Sequence, residues 1–253
     1  MIPRARTPFR SYGGCVALLL CAPLIGAAPA AAAASSAADT PTGARSAAGG
    51  TSGNWSGYAA SGSTYHSVSA SWVQPSITCA HTGAVSIWVG LDGRGSKTVE
   101  QTGTQAECNR VGGTPRYFAW WENYPDPESV FRDPVRPGDT MTASVVYDPG
   151  SDNYTTKLTN STLGWTETKT LARYSGATNG SAEVIAEAPS RNGARTPLAD
   201  FGSVTFTGAT IDGRTLAAAS AAPITMVQKG VTDATPGPLS ASGNSFTDTW
   251  KHY

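Results

Sequence analysis

Period-two alternation constrains this chain more than any other feature. Val68-Ala70-Trp72, Ile87-Val89-Leu91, Met141-Ala143-Val145-Tyr147 and Val204-Phe206 are each interleaved with other residues, mostly small or polar, the pattern of a strand with one face in a core. Roughly eleven such runs can be counted. Turn chemistry separates them at Asp92-Gly93, Gly112-Gly113, Asn160 to Gly164, Asn192-Gly193 and Asp212-Gly213, because Gly, Asn and Asp tolerate the left-handed backbone of tight hairpins. Only Arg214 to Ala222 has a helical composition, and it is short. Charged residues are 14% of the chain, with 28 Gly and 17 Pro, which argues against helical bundles and coiled coils. The expected architecture is all-β, a two-sheet antiparallel β-sandwich.

The N-terminus reads as an address. Arg4, Arg6 and Arg10 precede an apolar run from Cys15 to about Ile25 and then small residues through Ala34, the three-part layout of a secretory signal peptide over 1–34. The run is too short for a membrane span of about 20 residues. Leu18-Leu19-Leu20 before Cys21 disfavours a lipid anchor. Residues 35–53 are small and polar without periodicity, as in a linker or short pro-segment. The folded domain is expected over 54–253, about 200 residues and one core. It is expected to be a secreted monomer.

Once Cys15 and Cys21 leave with the signal, Cys79 and Cys108 remain in an oxidising destination, and a structural disulfide between them is expected. The 18 Lys and Arg balance 18 Asp and Glu, which leaves no electrostatic reason to expect nucleic acid or a membrane surface as partner.

Alternation also decides which side chains share a surface. Glu183, Ile185 and Glu187 point one way and Ala182, Val184 and Ala186 the other. Phe118, Trp120, Glu122 and Tyr124 share a side, as do Trp88 and Asp92. Aromatic stripes are common in cores, but unpaired carboxylates within them are costly to bury. The mixture favours an open, ligand-accepting sheet face.

Several chemistries lack support. His66, His81 and His252 show no metal-ligand spacing, so no metal is expected. No G-x-S-x-G elbow, G-x-G-x-x-G or phosphate loop occurs. The pairs Asp92-Gly93 and Asp212-Gly213 read as turns before they read as an aspartic dyad.

In order, Asn54-Trp55-Ser56-Gly57, Trp88-Val89-Gly90-Leu91-Asp92-Gly93, Gln101-Thr102-Gly103, Trp120-Trp121-Glu122-Asn123-Tyr124-Pro125 and Ala182-Glu183-Val184-Ile185-Ala186-Glu187 resemble the glutamic peptidases, the G1 or eqolisin family. The resemblance covers nearly everything from Asn54 onward. It implies a secreted, acid-active endopeptidase on a concanavalin-like β-sandwich, needing no cofactor and taking protein or peptide substrates. Its catalytic pair falls on Gln101 and Glu187. A single carboxyl group can strip a proton from the attacking water and then protonate the leaving nitrogen, while a carboxamide N–H can stabilise the developing oxyanion. A model glutamate titrates near 4.3, so such a base is expected to stay partly ionised in moderate acid.

Trp55, Trp88, Asp92, Glu122 and Tyr124 match positions around the family's cleft and are expected to support it or to bind substrate. Glu183 is expected to adjust the proton affinity of Glu187 from the same face. The stretch from Pro125 to Pro137 is expected to border or cover the cleft. Ala188-Pro189 and Asn123 depart from the pattern of fungal relatives, which bears on pocket shape. Asn54, Asn153, Asn160 and Asn179 fit the N-glycosylation pattern. The rival reading is a glycan-binding, lectin-like module, or a retaining glycoside hydrolase using two carboxylates about 5 Å apart on the same face. Gln101, for which such a dyad has no need, separates the two.

Overall fold

The computed structural model describes residues 49–252; the predicted signal segment and most of the predicted linker lie outside them. In chain order the strands are β1 (Gly50–Ser52), β2 (Trp55–Ser61), β3 (Ser67–Val73), β4 (Gly83–Asp92), β5 (Val99–Cys108), β6 (Arg116–Tyr124), β7 (Ser129–Pro134), β8 (Thr140–Asp148) and β9 (Asn153–Asn160). There follow β10 (Trp165–Ala172), β11 (Ser181–Glu187), β12 (Ser190–Arg191), β13 (Ala194–Arg195), β14 (Ser203–Ile211), β15 (Arg214–Thr215), β16 (Ala222–Gln228), β17 (Val231–Pro236) and β18 (Phe246–Trp250). No helix forms among these residues, so none is long and apolar enough to cross a membrane.

The strands pair in the order β10-β9-β8-β3-β14-β18-β17-β16-β2-β11-β4-β5-β6-β7, and every pair along that path is antiparallel. The path doubles back on itself: β3, β8 and β9 lie across the core from β11, β4 and β5. The result is the expected two-sheet β-sandwich. Ile87, Val89 and Leu91 of β4 meet Val68, Ala70, Trp72, Met141, Ala143 and Val145 in one buried apolar cluster. The alternation read from the sequence therefore named inward-facing residues of both sheets. Central strands β4 and β5 are buried on both faces. Their inner face packs against the other sheet, and their outer face forms the floor of a cleft.

More strands form than apolar runs could announce. The strands β1, β12, β13 and β15 are two or three residues long, β10 exposes most of its side chains, and β7 and β17 bury few of theirs. Pairing begins before Asn54, because β1 lies parallel to β16, with Gly50 opposite Ile224. Arg214 to Ala222 is not a helix: after β15 it makes a single tight turn, closed by Ala219 N donating to Thr215 O at 2.9 Å. The hairpin turns at Asn192-Gly193, Asp212-Gly213 and Lys229-Gly230 have positive φ at both residues, the backbone that two-residue loops between twisted strands require. In β14 the inward residues switch from Val204 and Phe206 to Ala209 and Ile211 across an irregularity at Thr207 to Thr210. Gly208, at φ 59°, supplies the bulge that changes the parity. The Cys79–Cys108 disulfide is present, with the two Cα atoms 5.3 Å apart, and it ties the loop before β4 to the end of β5.

Candidate active site

Register across four strands builds the cleft floor. One row runs Glu183, Gly90, Gln101, Glu122; the next runs Ile185, Trp88, Gly103, Trp120; the third runs Glu187, Ser86, Gln105, Phe118. On β2, Trp55 stands opposite Glu187. At about 3.3 Å per residue, the rows of Gln101 and Glu187 are about 13 Å apart along the strands, with the Trp88 row between them. Residues of all three rows and of the loop after β6 line a cavity of about 930 Å³ that includes Gln101, Glu122, Glu187, Trp55, Trp120 and Tyr124.

Trp88 can pack fully buried within this floor because two neighbours lack side chains. A Cβ on Gly103 would stand 2.1 Å from the Ile87 carbonyl oxygen and 2.7 Å from Trp88 Cβ, and one on Gly90 would stand 2.9 Å from the Trp88 ring. Gly103→Ala is therefore expected to cost at least about 1–3 kcal/mol by overpacking, measurable as a lower midpoint in urea unfolding. Trp55 meets Trp88 edge-on at 5.0 Å, and Ile185, Trp120, Val99, Ala59 and Ile224 complete a small apolar cluster beneath them.

The carboxyl of Glu187 is half-buried and held by N–H donors. Asn54 Nδ2 donates to Oε1 at 2.8 Å and Trp88 Nε1 donates to Oε2 at 2.8 Å. Burial pushes its pKa up to about 8, the Trp88, Trp55 and Asn54 donors pull back, and the charge of Glu122 adds to the rise. The expectation of a partly ionised group in moderate acid is thus corrected: desolvation keeps most of the population protonated there. Gln101 Nε2 donates to Glu122 Oε2, and Gln101 Oε1 is buried without a partner. Burial also raises the pKa of Glu122, which the Gln101 amide opposes.

Trp88, Glu122 and Tyr124 belong to this face as alternation placed them, with Trp88 buried in its floor, and Trp55, named by the resemblance, lines the cavity beside them. Asp92 does not face the cavity. At φ 64° it ends β4, and its carboxylate accepts from Thr178 N at 2.7 Å and from Asn179 N and Gly180 N at 2.8 Å each. It supports the site by fastening the loop before β11. Asp212, in the other Asp-Gly turn, likewise accepts from His66 N and Ser67 N. Glu183 shares the face of Glu187 but sits two rows away, fully buried, and neither of its oxygens has a hydrogen-bond partner. Burial raises its pKa well above the ordinary value, and the neighbouring charge that adds to this is Asp92. The carboxylate whose charge adds to the rise at Glu187 is Glu122, which lies in the same row as Glu183.

The stretch from Pro125 to Pro137 does border the cavity, through Pro127, Glu128 and Val130, although part of it is the edge strand β7. Asn123 turns away, its Nδ2 donating to Ala172 O at 3.0 Å. Asn160 and Asn179 are buried, which removes them as glycosylation sites. Sequence reasoning missed Asn54 as the partner of Glu187, reading it only as part of a family motif and as a sequon. The pairing of Trp55 with Glu187 brings it there, and only the fold supplies that pairing.

A β-sandwich whose cleft joins a half-buried glutamate, a glutamine and several indoles is the frame of a glutamic-type endopeptidase, a hydrolase, and comparisons with known proteins agree. Residues 53–247 match the model of the peptidase A4 family, and the chain belongs to that family, the eqolisins. Aspergillopepsin-2 of Aspergillus niger is 31% identical over 230 residues, 79% of this chain and 78% of that protein. The structure resembles that of scytalido-glutamic peptidase with a transition state analog inhibitor, at TM-score 0.68 and 26% identity over 79% of this chain and 98% of that one. It also resembles SCP-B, an eqolisin in complex with the tripeptide Ala-Ile-His, at TM-score 0.64 and 25% identity, again over 79% of this chain and 98% of that one.

Proposed function

We propose that this peptidase is an exported, acid-active enzyme that cleaves protein substrates by direct attack of water, with Glu187 as general base and then acid, and with Gln101 stabilising the oxyanion. The observation that carries the reading is the pairing on one cleft floor of a donor-held, desolvated carboxyl group with a glutamine whose amide is fixed by Glu122.

The ionised form of Glu187 takes a proton from water as it attacks the scissile carbonyl. The new glutamic acid then hands that proton to the leaving nitrogen, so the carboxyl ends as it began. A raised pKa lowers the ionised fraction in acid but makes each ionised group a stronger base, and the two effects offset in part. The Gln101 amide has two N–H groups. One is held by Glu122, and the other is available to the oxygen on which negative charge develops. Trp88 and Asn54 hold Glu187 in one orientation. The leader-like layout of 1–34 supports export.

The test is incubation of denatured protein with the folded enzyme in acid, scored by new amino termini, beside glycans scored by reducing ends. Peptide release without sugar release is expected. A folded enzyme that cuts no protein at any acid pH, even after removal of residues 35–48 ahead of β1, would overturn the reading.

A further inference from the structure

The cleft continues past Glu187 into a cluster of charged residues that the reaction above does not use. On β5, Glu107 follows Gln105 on the same face, about 7 Å further along. Its side chain is only 4% exposed. Two arginines hold it: Arg116 Nη1 from β6 lies 2.6 Å from Oε1, and Arg191 Nη2 from β12 lies 2.5 Å from Oε2. Asn109 Nδ2 donates to Glu107 Oε1 at 3.0 Å, and Asn109 Oδ1 accepts from Arg191 Nη1 at 2.9 Å. Ser86 Oγ donates to Gln105 Oε1 at 2.7 Å, and Gln105 Nε2 donates to Glu107 Oε2 at 3.3 Å, so this cluster is continuous with the row of Glu187.

One guanidinium would neutralise Glu107. The second leaves an excess positive charge on the cleft wall. The arginine side chains remain 66% and 54% exposed, and both line the same cavity as Gln101 and Glu187. Each guanidinium has five N–H donors in a planar fork, more than these contacts use, and the partner matching such forks is a carboxylate. The buried Glu107 fixes both forks, which reduces the entropy lost when they bind. Glu128, an exposed side chain lining the same cavity, offsets this charge least in acid, since burial first and then the charges of Glu122 and Glu107 raise its pKa against the pull of Arg191.

We propose that this end of the cleft is a specificity subsite in which Arg116 and Arg191 bind a carboxylate of the substrate, supplied by a Glu or Asp side chain or by a free C-terminus. The proposal rests on the reading of the cleft as a peptide-binding groove.

The experiment compares kcat/KM for peptides carrying Glu or Gln in turn at each position within four residues of the cleaved bond, and for C-terminal acids against amides, about one pH unit above the ordinary glutamate value of 4.3. At one position, or at the terminus, the acid is expected to exceed its amide at least about tenfold, by a margin that shrinks with added salt. Which arm shows the preference identifies the source of the carboxylate. In Arg191→Gln, where Arg116 still compensates Glu107, and in Arg116→Gln, the acid-to-amide ratio is expected to fall toward one, each variant being checked by its melting curve. If wild type cuts the peptides with a ratio near one throughout, the subsite is rejected while the peptidase reading stands; this arm needs no variant. A ratio preserved in both folded variants also rejects it. Failure to cut any peptide would bring down the groove reading itself.

Discussion

Glu187→Gln is expected to lower kcat for protein cleavage by at least about 10²-fold at every pH, with the fold intact. The substitution is nearly isosteric, so it leaves the cleft shape in place and removes the one atom set that can both accept and return a proton. An amide placed between Asn54 Nδ2 and Trp88 Nε1 can accept from only one of these two donors, so a modest loss of stability accompanies the loss of rate. Gln101→Ala should cost about 10²–10³-fold by removing the oxyanion donor, and it also releases Glu122 from its amide partner. The double variant should be little worse than either single one, because the two groups serve one transition state. Rates of appearance of new amino termini decide the matter. A folded Glu187→Gln enzyme within about tenfold of wild type would remove Glu187 from the chemistry.

Thermal stability should be greatest in acid and fall by at least about 10 °C in Tm between about pH 4.5 and pH 9. The cause is a set of carboxyl groups that the fold has desolvated. Burial pushes Glu100 and Glu187 up to about 8 and Asp248 up to about 7, and raises Glu183 and Glu122 as well. Glu100 and Glu183 are fully buried, and none of their carboxyl oxygens has a hydrogen-bond partner. A carboxyl whose pKa is higher folded than unfolded binds its proton more tightly in the fold. Its contribution is therefore complete below the ordinary value of about 4.5 and is lost as pH rises through 7 to 8. Each tenfold gain in proton affinity is worth about 1.4 kcal/mol, and about 1 kcal/mol moves Tm by about 2–4 °C at this size. Melts across this pH range test the sign directly, and Glu100→Gln should flatten the curve. A Tm that rises from pH 4.5 to pH 8 would contradict the account.

Much of the site was legible because strands alternate. Placing Phe118, Trp120, Glu122 and Tyr124 on one side, and Glu183, Ile185 and Glu187 on another shared side, needed only the period of two, and the cavity is lined as that arithmetic requires. Alternation said less about Asp92, whose φ of 64° at the strand end turns its carboxylate to the loop that precedes β11. Strands with few buried side chains, such as β7 and β10, left little apolar signal because their pairing rests on backbone hydrogen bonds.

The sequence by itself determined the class of fold, the inward and outward faces of the long strands, the disulfide pair and the motif order that marks the family. These are local or countable properties, written in the spacing of neighbouring residues. Only the tertiary structure decided that Glu187 stands opposite Trp55 and beside Asn54, that the charge of Glu122 bears on it, and that two arginines from separate strands converge on Glu107. Register between strands distant in sequence is set by long-range pairing and core packing, and a one-residue slip would send every side chain of a strand to the opposite face. Desolvation, which governs the proton affinities of the buried acids, likewise exists only once the two sheets have closed on each other.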